Sequence, residues 1–217
     1  MILFRKFRIQ SMKVMLVTMF LILMSCGSLF ERQIPLSERW IVGVLPASNK
    51  SGNLLANQYS ETLQNALIDE LHTTQRFRLI ERAKISAMLS EMKLQQLGVI
   101  ETSQATELGK LLGVEAGLVT DIQAFKNEKV NSLKIGSVVK IQKEIAQASI
   151  HSRLIHVQTG EILGTGDADG NLESGNSINS PAGGSEGGSS QNLVTSLLNQ
   201  SAKVISQKMT KNVIPKK

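Results

Sequence analysis

The chain has 217 residues, of which 41% are hydrophobic, one cysteine and a formal net charge of +6. This length is enough for one domain with its own core, and a single cysteine excludes an intrachain disulfide. A basic chain often binds nucleic acid. Here the basic excess lies within the first thirteen residues and after Gln200, so the sequence predicts no nucleic-acid partner.

Residues 1–25 are predicted to be a signal peptide. Basic residues precede the apolar run Val14–Met24, and no acidic residue occurs before Glu31. This run is about half as long as a helix that spans a bilayer, which is typical of an export signal. Met1 and Met12 are both candidate start residues. After cleavage, twenty basic and eighteen acidic residues remain, so the mature charge is about +2.

The signal peptide ends at Met24-Ser25-Cys26-Gly27, which resembles the lipobox of bacterial lipoproteins. The resemblance implies that Cys26 is acylated and becomes the new N-terminus. Gly27 resembles the residue found in lipoproteins sorted to the outer membrane, so we expect a lipid-anchored protein on its periplasmic face. Residues 26–38 are then a tether. The alternative is a short buried or membrane-anchoring helix with an incidental thiol.

Alternating strands and helices are predicted for the first part of the body. Residues 39–46 indicate a strand that ends at Pro46, and a helix follows with one apolar face that includes Leu63, Leu67 and Leu71. A strand at 77–80 and two more helices come next, and Gly113 occupies the position where helices favour a left-handed residue.

Consecutive strands are predicted for the second part. Leu118–Phe125 indicates a central strand, and 145–157 pairs with 161–164 through a turn at Gly160. Residues 173–191 are rich in glycine and serine and indicate a flexible loop. Residues 192–217 indicate a helix and a basic tail. The order predicts a single α/β domain over 39–172, with a mixed β-sheet packed by helices.

The sequence predicts neither catalysis nor a bound cofactor or metal. Asp167-Ala168-Asp169-Gly170 lacks the remaining ligands of a calcium loop. The three histidines, His72, His151 and His156, lack ligand spacing as a set. We therefore expect a protein that acts by contact and is not an enzyme.

Four segments in order are similar to the CsgG family, the lipoproteins that assemble curli. They are Val42-Gly43-Val44-Leu45-Pro46, Phe77-Arg78-Leu79-Ile80-Glu81-Arg82, the run from Glu107 to Ala116, and the run from Leu154 to Leu163. The resemblance covers Trp40 to about Gly170 and the final helix. It implies an α/β periplasmic domain that forms rings, in which each subunit gives β-hairpins to an outer-membrane pore that secretes unfolded fibre subunits.

A candidate membrane-hairpin strand carries apolar residues at alternate positions: Leu133, Ile135, Val139 and Ile141. Such a strand needs about ten residues and aromatic residues at both ends. Its expected partner, Gln123–Val130, is charged, and neither stretch has aromatic ends. The sequence therefore favours a solvated two-stranded ribbon that is formed by residues Lys126–Lys143.

Two functions remain open. The first is an oligomeric outer-membrane lipoprotein that helps to secrete or assemble extracellular fibres or adhesins. The alternative is a lipoprotein binding module that regulates a cell-envelope enzyme, such as a peptidoglycan synthase, without forming a pore. The expected partners are the membrane, further copies of the chain, and secreted fibre subunits or envelope proteins.

Overall fold

A computed structural model describes residues 34–91, 102–135, 139–174, 177–179 and 190–216. The strands are β1 (Trp40–Val44), β2 (Ser48–Asn49), β3 (Phe77–Leu79), β4 (Ala116–Ile135), β5 (Val139–His156), β6 (Ile162–Glu173) and β7 (Ser177–Asn179). The helices are α1 (Ser60–Thr73), α2 (Arg82–Glu91), α3 (Thr102–Leu112) and α4 (Ser190–Asn212), with 3₁₀ helices at Leu36–Glu38 and Leu54–Tyr59. The prediction of a mixed α/β domain is confirmed.

The seven strands of the described chain form one sheet in the order β3-β1-β4-β5-β6, with β2 beside β4 and β7 beside β5. The pairs β1–β3, β1–β4 and β2–β4 are parallel. The pairs β4–β5, β5–β6 and β5–β7 are antiparallel. The parallel strands come from the alternating first part of the sequence, since parallel neighbours need a crossover between them.

Helices α1 and α4 cover one face of the sheet. Their buried side chains pack against strand residues that include Val44, Leu118 and Ile150. The helix residues are Leu63 and Leu67 from α1 and Leu197, Leu198 and Ile205 from α4. Helix α4 approaches β6 closely because β6 presents glycines there. A Cβ atom on Gly170 would lie 2.4 Å from Leu197 Cδ1.

Helices α2 and α3 cover the other face at the end of the sheet where β1 and β4 begin. Ile85 and Leu89 from α2, with Leu108 and Leu112 from α3, pack around Val119 and Ile155. Gly109 lets α3 approach β5, because a Cβ atom there would lie 2.3 Å from Val157 Cγ2. Gly113 has φ +67° and Gly160 has φ +73°, as predicted for a helix end and a turn.

The C-terminal tail closes this end of the sheet, which we call the base. The backbone N–H of Lys216 donates to Glu38 O at 2.9 Å, and the Trp40 indole donates to Ile214 O at 2.8 Å. Lys216 Nζ also pairs with Glu115 Oε1 at 2.6 Å. Lys216 thus lies against the body, whereas the sequence predicts only a basic tail.

Glu115 is held in its ionised form by these contacts. Burial raises its pKa, but hydrogen bonds from Lys216 Nζ and the Ile41 amide outweigh this effect, and the net pKa lies below the usual value. The Ile41 N–H donates to Glu115 Oε2 at 3.0 Å. The carboxylate therefore joins β1, the start of β4 and the tail.

Several predicted boundaries change. The body begins at Ile34, so residues 34–38 of the predicted tether belong to the domain. The predicted 173–191 loop is interrupted, because β6 continues through Glu173 and β7 lies within the loop. Helix α4 begins at Ser190. Hydrogen bonds to a neighbouring strand determine the backbone conformation of these polar segments. The amino-acid composition alone does not show these hydrogen bonds.

Candidate functional site: the projecting hairpin and its polar face

The hairpin of β4 and β5 extends well beyond the helix-covered part of the sheet. These strands have 20 and 18 residues, whereas a typical strand has about five or six. Their pairing runs from Ala116–His156 to Ile135–Val139. Ala146 is fully buried, whereas Lys143, Glu144 and Ile145 beyond it are partly exposed. The seven residues of β5 beyond Ala146 are roughly 25 Å long and project from the body.

A third strand supports the hairpin. Strand β6 pairs with β5 as far as Glu173–Ile145, and β7 resumes the pairing at Ser177–Gln142. At the break, the Glu144 N–H donates to Ser174 Oγ at 2.8 Å. The projection is thus a ribbon of three strands over part of its length, where the sequence favours two.

We call residues 126–130 of β4 and 143–147 of β5 the stem of the hairpin. The stem carries ion pairs. Lys126 pairs with Glu128 at 2.9 Å, Lys129 with Glu144 at 2.9 Å, and Lys143 with Glu173 at 3.5 Å. Lys126 and Lys129 lie an odd number of residues apart on one strand and therefore on opposite faces. Both faces of the stem carry charge, which suits water and opposes burial in lipid.

Nearer the body, one face of β4, β5 and β6 carries a buried acid between two cations. Asp121 Oδ2 accepts from Lys50 Nζ at 3.2 Å and from Arg153 Nη2 at 3.0 Å. The Asp121 side chain is 5% exposed. Asp121 Oδ1 and Arg153 Nε have no hydrogen-bond partner. The Asp121 carboxylate is compensated by two cations, so the cluster has a net positive charge, and its hydrogen bonds are incomplete.

Two further polar pairs extend this face toward β6. His151 Nδ1 contacts Asp167 Oδ1, and the Ser149 hydroxyl donates to Asp169 Oδ1 at 2.6 Å. The Ser149 hydroxyl is therefore directed to Asp169 and not to His151. Across the described residues, no group of three or more His, Cys, Asp or Glu side chains could hold a metal ion. The face offers charged and hydrogen-bonding groups for contact with a partner.

The predicted site residues fall in two places. Cys26 lies outside the described residues. Leu133 and Ile135 lie on β4, and Val139 and Ile141 lie on β5, on either side of residues 136–138. The prediction of one continuous strand through these four residues is therefore wrong, because β4 and β5 are separate antiparallel strands in which Ile135 pairs with Val139. A role in the membrane stays a prediction.

The partner predicted for that strand also changes. Most of residues 123–130 pair with residues 143–149 of β5, and not with a strand formed by residues 133–142. Lys129 pairs with Glu144 and Phe125 with Ala148. Among the described helices, none is long and apolar enough to cross a membrane.

Sequence reasoning missed the cluster at Asp121. The features that indicate it are an acid inside the mostly apolar run of β4, and Arg153 beside the apolar Leu154 and Ile155 of β5. A charged residue in a mostly apolar strand needs a partner of opposite charge. The partners lie 32 and 71 positions away in the chain, so the pairing depends on the register of the sheet.

A known protein family matches most of the chain. The family described as "Curli production assembly/transport component CsgG" matches residues 32–217. No curated protein matches the chain closely enough to count as a relative.

The solved structures that are similar to the chain include the following three. Lipoprotein GNA1162 from Neisseria meningitidis is 15% identical with a TM-score of 0.43, over 74% of this chain and 96% of that one. The LpoB C-terminal domain from Escherichia coli is 21% identical with a TM-score of 0.40, over 60% and 82%. The PelC dodecamer from Paraburkholderia phytofirmans is 11% identical with a TM-score of 0.37, over 76% and 86%.

Proposed function

The chain belongs to the CsgG family, and from this premise we propose that it is an outer-membrane lipoprotein on the periplasmic face, anchored through Cys26. It works as a homo-oligomer in the secretion or assembly of extracellular fibres or adhesins. The family match over residues 32–217 carries this proposal. The protein acts by contact and not by chemistry.

Acylation of Cys26 is the first point to test. The full chain is expressed in a bacterium with labelled palmitate, beside a Cys26→Ala form. We expect label only in the unmodified chain, and much stronger membrane fractionation for it than for the Cys26→Ala form, because covalent acyl chains supply most of the membrane affinity. An unlabelled chain, or a Cys26→Ala form that fractionates with membranes as completely as the unmodified chain, would contradict the anchor.

The assembly role needs a separate measurement. The detergent-extracted protein should sediment as an assembly of several copies. Deletion of its gene in the host should remove surface fibres or adhesins, and only the acylated chain should restore them. A monomer whose loss leaves the cell surface unchanged would overturn the role.

A second function is favoured by the charges on both faces of the hairpin stem. A lipoprotein that regulates a cell-envelope enzyme, such as a peptidoglycan synthase, needs a solvated projection and no pore. Crosslinking from Val130, which is 38% exposed, separates the two. Recovery of an inner-membrane synthase supports regulation, whereas recovery of further copies of the chain supports assembly.

A further inference from the structure

The hairpin tip and the point where the described chain begins lie at opposite ends of the sheet. Ile34 O accepts a hydrogen bond from Arg39 Nε at 2.8 Å, and Arg39 immediately precedes β1 at the base. Strand β4 also starts at the base and runs toward the tip. At about 3.3 Å for each residue, the fifteen steps from Ala116 to Asn131 cover about 50 Å.

The chain between the acyl anchor and the body is short. Eight peptide steps join Cys26 to Ile34, and a fully extended chain spans at most about 3.6 Å for each step, or about 29 Å here. This reach is much less than the distance along β4 from the base to Asn131, which lies in the outer part of the hairpin. An anchored chain therefore holds its base within about 29 Å of the acylated residue, whereas its tip can lie much further from the membrane.

The base carries the side chains that a membrane surface attracts. Leu36 is 63% exposed and Ile214 is 75% exposed. Both lie within two residues of the hydrogen bond from Lys216 N to Glu38 O, so these two exposed residues lie near each other at the base. Lys211 is exposed on the last turn of α4. We call Leu36, Lys211 and Ile214 the basal surface.

We propose that the basal surface lies on the membrane that holds the acyl chains, with the hairpin tip directed away from it. Leu36 and Ile214 enter the boundary between headgroups and acyl chains, and Lys211 faces anionic phospholipid headgroups. This inference rests on the proposed acylation of Cys26. It deepens the proposed function by assigning the hairpin to partners on the far side of the protein from the anchoring membrane.

Nitroxide labels on the acylated protein test this orientation. In the acylated protein the Cys26 thiol is blocked, so a single introduced cysteine is the only labelling site. The labels replace Leu36, Ile214, Val130 or Leu54 in the full mature chain, in vesicles of phosphatidylethanolamine and phosphatidylglycerol. Leu54, which is 81% exposed, is the matched control, because Asn53 beside it donates to Phe125 O on β4, away from the base.

We expect labels at 36 and 214 to be accessible to oxygen dissolved in the lipid, and labels at 54 and 130 to a water-soluble nickel reagent. Lipid contact at 130 with water contact at 36 and 214 would overturn the proposed orientation. Palmitate incorporation is measured on the same samples. A protein that incorporates palmitate and gives the reversed pattern retains the proposed anchor and loses only the orientation.

Intrinsic affinity gives a second readout. The Cys26→Ser full mature chain should co-sediment with these vesicles, and Leu36→Ser with Ile214→Ser should weaken the binding roughly fivefold or more. Leu54→Ser should leave it unchanged, and circular dichroism checks that all forms fold. Lys211→Glu should weaken binding to vesicles that contain phosphatidylglycerol and not to vesicles of phosphatidylcholine alone. Equal losses for Leu54→Ser and the basal pair would contradict a specific basal contact.

Discussion

The base of the sheet and its projecting hairpin share two continuous strands but differ in what surrounds them. At the base, β4 and β5 have helices on both faces and fully buried residues such as Leu118 and Ile155. In the stem of the hairpin, the same strands carry pairs of opposite charge. One pair of strands thus supplies both the core of the domain and a solvated projection. The difference indicates that the helix-covered half of these two strands determines stability, and that the projecting half is available for contact.

The strongest test of this division is a cavity in the helix-covered half. Leu197 is 1% exposed, and Leu197→Ala should lower the free energy of unfolding by about 2–5 kcal/mol. Val204 on the same helix is 41% exposed, and Val204→Ala should change it by less than about 0.5 kcal/mol. Urea denaturation measures both. Similar losses in the two variants would show that α4 does not pack as described.

The next largest effect is expected where the two halves meet. Asp121→Ala should lower the free energy of unfolding by about 2 kcal/mol, because it removes the counter-ion and hydrogen-bond acceptor of Arg153, whose side chain is only 24% exposed. Asp169→Ala is the matched control on the exposed part of the same face and should cost about 1 kcal/mol or less. Replacing Arg153 by Met in the Asp121→Ala chain should restore part of the loss. No restoration would contradict a charge effect.

Acidification tests the base through Glu115. Its pKa is lowered in the folded state, so its contribution is present above the unfolded pKa of about 4.3. This contribution is lost as the pH falls through the folded pKa. Glu115 is partly exposed, so the expected effect is less than about 1 kcal/mol. The free energy of unfolding should fall less steeply below pH 4.3 in Glu115→Gln than in the unmodified chain. Parallel curves would remove Glu115 from the acid response.

The smallest effect on stability is expected from loss of the hairpin itself. Asn127 pairs with Ala146, so residues 128–145 can be replaced by the two-residue turn Asn-Gly. The free energy of unfolding should change by about 1 kcal/mol or less, since exposed ion pairs contribute little. Thermal unfolding and circular dichroism measure this, and crosslinking to partners should be lost. A shortened chain that unfolds at much lower temperature would show that the hairpin belongs to the core.

Local patterns predicted the fold well where the sequence has strong periodicity. The apolar spacing of Leu63, Leu67 and Leu71 gave α1, and the glycines at 113 and 160 gave a helix end and a turn. These features depend on neighbours a few residues away. The length of β4 does not, because Asn127, Glu128 and Lys129 have low strand propensity and are held by pairing with β5.

The candidate site was predicted only in part for the same reason. Alternating apolar residues indicated strands around 133–141, but the division into two strands, in which Ile135 pairs with Val139, depends on the register that the core imposes. The buried pair of Asp121 and Arg153 likewise joins residues far apart in the chain. The sequence identifies charged residues in apolar strands but does not show which of them contact each other.

The bond between Trp40 and Ile214 has a consequence for the order in which the protein is made. One of the first residues of the domain bonds to one of the last, and α4 supplies a large part of one hydrophobic layer. A chain that emerges from the ribosome N-terminus first lacks that layer until its final residues are complete. The early strands therefore lack this cover during synthesis, and an uncovered chain is the form that the predicted signal peptide would require for passage through a narrow translocation channel.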